Sequence, residues 1–181
     1  MQKLNLGCGV KKLDGFLNID KDSSVEPDKV LDLESGKLPY KENSVDHVVL
    51  NYVLEYIGDG FLKLLKEIYR VCESGATIEI RSVHPRHESF LDDIDCKRPI
   101  TLGILRQFSK KYCSWYQDFM GKSNGIANLV DIDFEILSHD IQADDDYLDM
   151  VRNSKFQELA EISKRFNNVI RSTEVKMVVI K

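Results

Sequence analysis

Apolar positions recur at alternate residues, or fill short runs, through the first half of the chain. Lys3–Leu6, Phe16–Ile19 and Val30–Leu33 read as strands, and Asp46–Leu50 (DHVVL) reads as a strand buried on both faces. The period then changes. Phe61, Leu64, Leu65, Ile68 and Val71 fall at helical spacing, which predicts a helix over Gly60–Cys72 capped by Asp59. Gly75 ends the connection, and Ala76–Arg81 (ATIEIR) returns to strand. Strands separated by such connections predict a parallel sheet wrapped by helices.

The second half has a different texture. His84–Pro99 is polar and irregular, and Ile100–Lys111 has helical spacing. Asp133–Ser138 reads as a strand, Asp144–Asn167 as mostly helix, and Thr173–Ile180 as a last strand that sequence leaves free to run antiparallel. The stretch 112–131 has no clear period. Within it, Tyr112, Trp115, Tyr116 and Phe119 are partly at helical spacing. A core-facing stripe is the first reading of these rings, and a wall that stacks on a sugar is the alternative. No linker, repeat or low-complexity segment interrupts the chain, which predicts one domain over residues 1–181.

Composition narrows the class. With 43% hydrophobic and 30% charged residues, the chain reads as an ordinary globular protein. A net charge of −5 argues against nucleic acid as a partner, since such binding rests on neutralising phosphates. Cys8, Cys72, Cys96 and Cys113 form no CxxC pair and fit no zinc spacing, so free thiols in a cytoplasmic protein are expected. No apolar run approaches the ~18 residues of a membrane span, and the N-terminal stretch lacks a signal-peptide pattern.

The first strand runs into LNLGCGVKKLDGFLNID. Gly7 and Gly9 make a turn that lets backbone approach a ligand closely. The dinucleotide fingerprint GxGxxG asks for a third glycine and an acid about 20 residues on. Here position 12 is Lys12, and Asp20 comes 13 residues after Gly7. A crossover that short reduces the first helix to a turn or removes it. A pyrophosphate seated on that helix is then poorly supported, which weakens an NAD(P)-dependent oxidoreductase reading. A ligand with a ribose but no phosphate fits better, with Asp20 accepting from two hydroxyls.

LNLGCG, NID, LDLES…LPYKENSVDHVVLNYVLEYI and LKEIYRVCESGATIEI, taken in order over residues 3 to 95, resemble a class I S-adenosylmethionine-dependent methyltransferase. More narrowly, the chain is similar to short methyltransferases found with surface-polysaccharide genes. The resemblance implies an α/β, Rossmann-like single domain. It would have a mostly parallel seven-stranded sheet, helices on both faces and a shortened first helix. It implies a cofactor-binding half over 3–95 and an acceptor-side half over 96–181. Gly7 and Gly9 would border the methionine part of the cofactor. Asn5 stands where many members carry an acid that helps hold its amino group. Asp20 would bind the ribose, Asp32 and the backbone of Leu33 the adenine, and Asn51 the methionine and sulfonium. Departures are Lys11 in place of a further glycine, Tyr56 in place of a common histidine, and Glu73-Ser74-Gly75-Ala76 before the fifth strand.

Acceptor chemistry is expected just beyond the fifth strand, because ligands of open α/β sheets bind past the carboxyl ends of strands. His84, Arg86, His87, Glu88, Asp92 and Asp93 all fall there. A histidine suits the base of an O-methyl transfer near neutral pH, so His84 and His87 are the candidates. Two histidines and two aspartates also suit a divalent ion, but nothing fixes their geometry and no metal is assigned. The expected function is methyl transfer to a small-molecule or sugar acceptor, with surface-glycan biosynthesis as the implied setting. The alternative is a non-catalytic S-adenosylmethionine-binding module acting through a partner protein.

Overall fold

The computed structural model describes residues 1–121 and 125–181. Residues 122–124, inside the stretch without a clear period, lie outside them. Seven strands form one sheet: β1 (Gln2–Leu6), β2 (Leu17–Asp20), β3 (Lys29–Val30), β4 (Val45–Asn51), β5 (Cys72–Val83), β6 (Phe134–Ala143) and β7 (Ile170–Val179). Their spatial order is β3-β2-β1-β4-β5-β7-β6. All pairings are parallel up to β5, and β7 runs antiparallel to both β5 and β6. The seven-stranded, mostly parallel sheet of a Rossmann-like fold is therefore present.

Alternation along the strands sorts side chains to two sides. Leu4 and Leu6 of β1, Val48 and Leu50 of β4, Ile78 and Ile80 of β5, and Val175, Met177 and Val179 of β7 share one apolar cluster. Helix α1 (Phe61–Val71) lays Phe61, Leu64, Leu65, Ile68 and Val71 into it. The helices between β5 and β6 are α2 (Glu88–Leu91), α3 (Leu102–Arg106), α4 (Lys110–Met120) and α5 (Ile126–Val130). Of these, α3 and α5 pack against the same cluster. A second, small core joins α6 (Leu148–Arg152) and α7 (Phe156–Ser163) to the β6–β7 ends.

The helices are shared less evenly between the faces than expected. The opposite face carries His47, Glu79, Arg81, Glu174 and Lys176, and among the described residues its cleft is lined only by sheet and by Leu13 and Phe16. Hence β4 is not buried on both faces along its length: His47 stays half-buried while Val48 and Leu50 are under helices. Its Nε2 lies 3.2 Å from Glu79, which also pairs with Lys176 at 3.3 Å.

Other differences have local causes. β3 stops at Val30 because the Asp32 carboxylate caps the next turn through the Glu34 amide. Asp59 does not cap α1. Gly60 holds the cap position, and its amide donates to the distant Glu34 carboxylate at 2.7 Å. Helical periodicity over 100–111 is cut in two, since Ser109 caps α4 by accepting from the Tyr112 amide. The 144–167 segment breaks between α6 and α7 at Ser154, whose φ is +56°. The α4 rings are not a core stripe: Cys113 is its buried residue, and Trp115 and Phe119 stack on each other while exposed.

Candidate functional site

A cleft of about 380 Å³ opens at the carboxyl ends of β1, β2, β3 and β4, where the strand order reverses direction. Gly7, Asp20, Asp32 and Leu33 line it, together with Lys21, Glu34, Tyr52, Val53, Asp95 and Lys97. Gly7 has φ +67°, and a Cβ added there would lie 2.5 Å from a Val53 methyl. The residue must be glycine both for its backbone and for that close approach.

No helix connects β1 to β2. Asn18 organises the loop instead. Its Oδ1 accepts from the Leu13 amide and from Asn5 Nδ2, at 2.8 and 2.9 Å. Its Nδ2 donates to Asp28, Leu13 and Phe16. Asn5 is buried, also donates to the Lys11 carbonyl, and so closes the loop from beneath rather than lining the cleft. Asp20 is oriented by the Gly9 amide on one oxygen (2.8 Å) and the Asp22 amide on the other (3.0 Å). Each carboxylate oxygen retains a lone pair for a further donor. Gly9 thus acts on the site through Asp20. Cys8 between the glycines is buried, and burial followed by the Asp20 charge pushes its thiol above the ordinary range.

The far wall is the 92–98 segment. Glu55 accepts from the Lys97 and Arg98 amides through its backbone carbonyl. The Arg98 guanidinium donates to the Ile57 and Gly58 carbonyls. The Tyr56 hydroxyl donates to Asp93 at 2.8 Å, and burial followed by that bond holds its phenol above the usual range. Glu34 accepts from Gly60 and Gly58, whose amides hold its carboxyl below the usual range.

The two histidines lie elsewhere. Segment 84–91 does not overhang the cleft, because Arg86 binds the Ser163 and Lys164 carbonyls and Glu88 exchanges hydrogen bonds with Asn168. His87 is buried, with Nε2 bonded to Asp144 at 3.0 Å and Nδ1 accepting from the Ser89 amide. Both nitrogens are committed to holding α2 and the α6 region together. His84 is half-buried, with Nδ1 facing the Arg86 amide at 3.3 Å. Burial and then the Arg86 charge lower its pKa, so it is neutral at neutral pH. Asn51 is exposed and borders the opposite cleft, beside Arg81 and Glu174. Tyr52, Val53, Glu34, Asp95 and Lys97 are among the lining residues that sequence did not single out. The rule that ligands bind past strand ends pointed to their segments, but no residue type marked them.

The lining sets four carboxylates, Asp20, Asp32, Glu34 and Asp95, against two lysines, Lys21 and Lys97. That balance repels a pyrophosphate and suits hydroxyls, amines and a cation. Among the described residues, no group of three or more His, Cys, Asp or Glu is arranged to hold a metal ion. Nor is any described helix long and apolar enough to cross a membrane.

A methyltransferase domain family matches residues 8–80. No curated protein matches the chain significantly. An S-adenosylmethionine-dependent methyltransferase structure from Archaeoglobus fulgidus is similar over 98% of this chain and 85% of its own, with TM-score 0.60 and 13% identity. One from Methanosarcina mazei matches over 99% and 92%, with TM-score 0.56 and 14% identity. The cyclase SpnF matches over 99% and 75%, with TM-score 0.58 and 13% identity. At such identities the likeness is one of fold.

Proposed function

We propose that S-adenosylmethionine is the cofactor, because a methyltransferase domain family matches residues 8–80 and the fold is one that S-adenosylmethionine-dependent methyltransferases use. From that premise, we propose that the protein moves a methyl group from S-adenosylmethionine to a polar small-molecule or sugar acceptor, with surface-glycan biosynthesis as the setting. The observation that carries this reading is the cleft at the switch point, with Gly7 against Val53 and the Asp20 carboxylate pre-set by backbone amides. Asp20 takes the ribose hydroxyls, Asp32 and the Leu33 backbone take the adenine, and the Gly7 turn admits the methionine end. The bound cofactor supplies an activated methyl on sulfur. The chain's part is to align the acceptor and exclude water, which by itself accounts for much of such catalysis.

Base chemistry is more open. The committed nitrogens of His87 leave His84 as the histidine able to take a proton, once its Nδ1 gives up the long bond to the Arg86 amide. The absence of either histidine from the cleft lining also favours the second reading, a non-catalytic cofactor-binding module. The cyclase relative underlines that this fold hosts other chemistry.

Calorimetric titration with S-adenosylmethionine tests the cofactor assignment. Binding in the micromolar range should drop at least about tenfold in Asp20→Ala, the value of a lost charge-assisted hydrogen bond. Unchanged affinity in that variant would remove Asp20 from the site.

A further inference from the structure

Six non-glycine residues among those described have left-handed backbone: Glu26, Asn43, Tyr52, Asp131, Ser154 and Asn168. Glu26 and Asp131 end helical turns, and asparagine and aspartate tolerate this conformation. Tyr52 has neither excuse. It is the bulky aromatic of the set, has φ +56°, follows β4 directly and lines the cleft. A bulky side chain in this region is an outlier, and such residues persist only where the surroundings over-determine them.

The surroundings do so here. The Tyr52 amide donates to the Arg81 carbonyl at 2.7 Å, and the Arg81 side chain is paired with Glu174. The next residue, Val53, presses its methyl where a Cβ of Gly7 would sit. Its carbonyl accepts from the Tyr56 amide at 3.0 Å. Relaxing Tyr52 would pull Val53 from Gly7 and move the backbone that brings residue 52 to the cleft.

β1 and β4 are neighbours in the sheet, so Gly7 and Tyr52 flank the same end of the cleft. Under the cofactor reading above, on which this inference rests, that end receives the methionine half with its sulfonium. An aromatic face attracts a cation, and tyrosine is among the better rings for it. The surrounding carboxylates favour the same charge. We propose that Tyr52 is the positioning residue that recognises the sulfonium, and that the strained turn serves to present its ring. Tyr52 then separates the cationic cofactor from its neutral product, S-adenosylhomocysteine.

The test is calorimetric titration of both ligands against the native protein, Tyr52→Phe, Tyr52→Leu and Tyr52→Gly, with thermal melts of each. The phenylalanine variant should keep the native ratio of the two affinities. The leucine variant should lose roughly tenfold for S-adenosylmethionine and less than about twofold for S-adenosylhomocysteine. Glycine adopts φ +56° without strain, so that variant should fold at least as stably as Tyr52→Leu and show the same selective loss. Equal weakening of both ligands, or of neither, in both the leucine and the glycine variants overturns the inference. A native protein that binds neither ligand overturns the cofactor reading, and this inference with it.

Discussion

Glu55 is fully buried, and among the described residues the donor to its carboxyl is the Val83 amide on one oxygen, the other having none. Burial pushes this carboxyl above its ordinary value of 4.5. The consequence for stability has a definite sign. Below about pH 4.5 the carboxyl is protonated in both folded and unfolded chains. Above it the unfolded chain releases the proton while the folded one keeps it, so stability declines with rising pH up to the folded value. Glu55→Gln keeps an acceptor for Val83 and has nothing to ionise. Urea unfolding at about pH 5 and about pH 8 should show a smaller decline for the glutamine variant than for the native protein. Equal declines would mean that the carboxyl is ionised and solvated. His87 teaches a related lesson. Its residue type suggested a base, yet both nitrogens are spent on a short helix cap and an aspartate. Hydrogen-bond commitments belong to the fold and are not written in the residue type.

Among the elements, the connection from β1 to β2 is the least ordinary. A parallel crossover usually carries a helix, and this one carries Asn18. Asn18→Ala would leave the Leu13 amide and one Asn5 amide hydrogen without their acceptor, at an expected cost on the order of 2–3 kcal/mol in urea unfolding. A loss below about 0.5 kcal/mol would show that water replaces the network. The missing helix was legible from the distance between Gly7 and Asp20, because chain length limits what can fit. Its replacement was not legible, since a polar residue in a strand reads as a surface position. The core strands were readable because alternation follows directly from burial on one side. The placing of Gly7, Asp20 and Asp32 around one cleft was readable because strand ends and turns confine them. The split of the 100–111 helix was missed because Ser109 as a cap is a local choice between two competing hydrogen bonds. The strain at Tyr52 leaves no trace in composition or period.

Over the whole molecule, the apolar core lies on one side of the sheet and charged pairs on the other. Adjacent residues of β5 should therefore respond very differently to truncation. Ile78→Ala, in the apolar cluster, should cost about 2–5 kcal/mol. Glu79→Ala, half-exposed beside Lys176, should stay within about 0.5 kcal/mol. Denaturant titrations of the two variants measure the contrast, and comparable losses would require a second packed layer over the charged face.

β7 lies between β5 and β6 in the sheet but follows both along the chain. During synthesis, therefore, everything from the Gly7 turn through α7 can emerge before the strand that joins the two parts of the sheet exists. Until β7 is made, β5 offers an open apolar edge and β6 has no partner. Bare edges of this kind recruit other chains. The nascent polypeptide is consequently most vulnerable to aggregation just before its final strand appears. A chain released short of that strand would keep the carboxylates of its cleft yet lack the strand that closes the sheet.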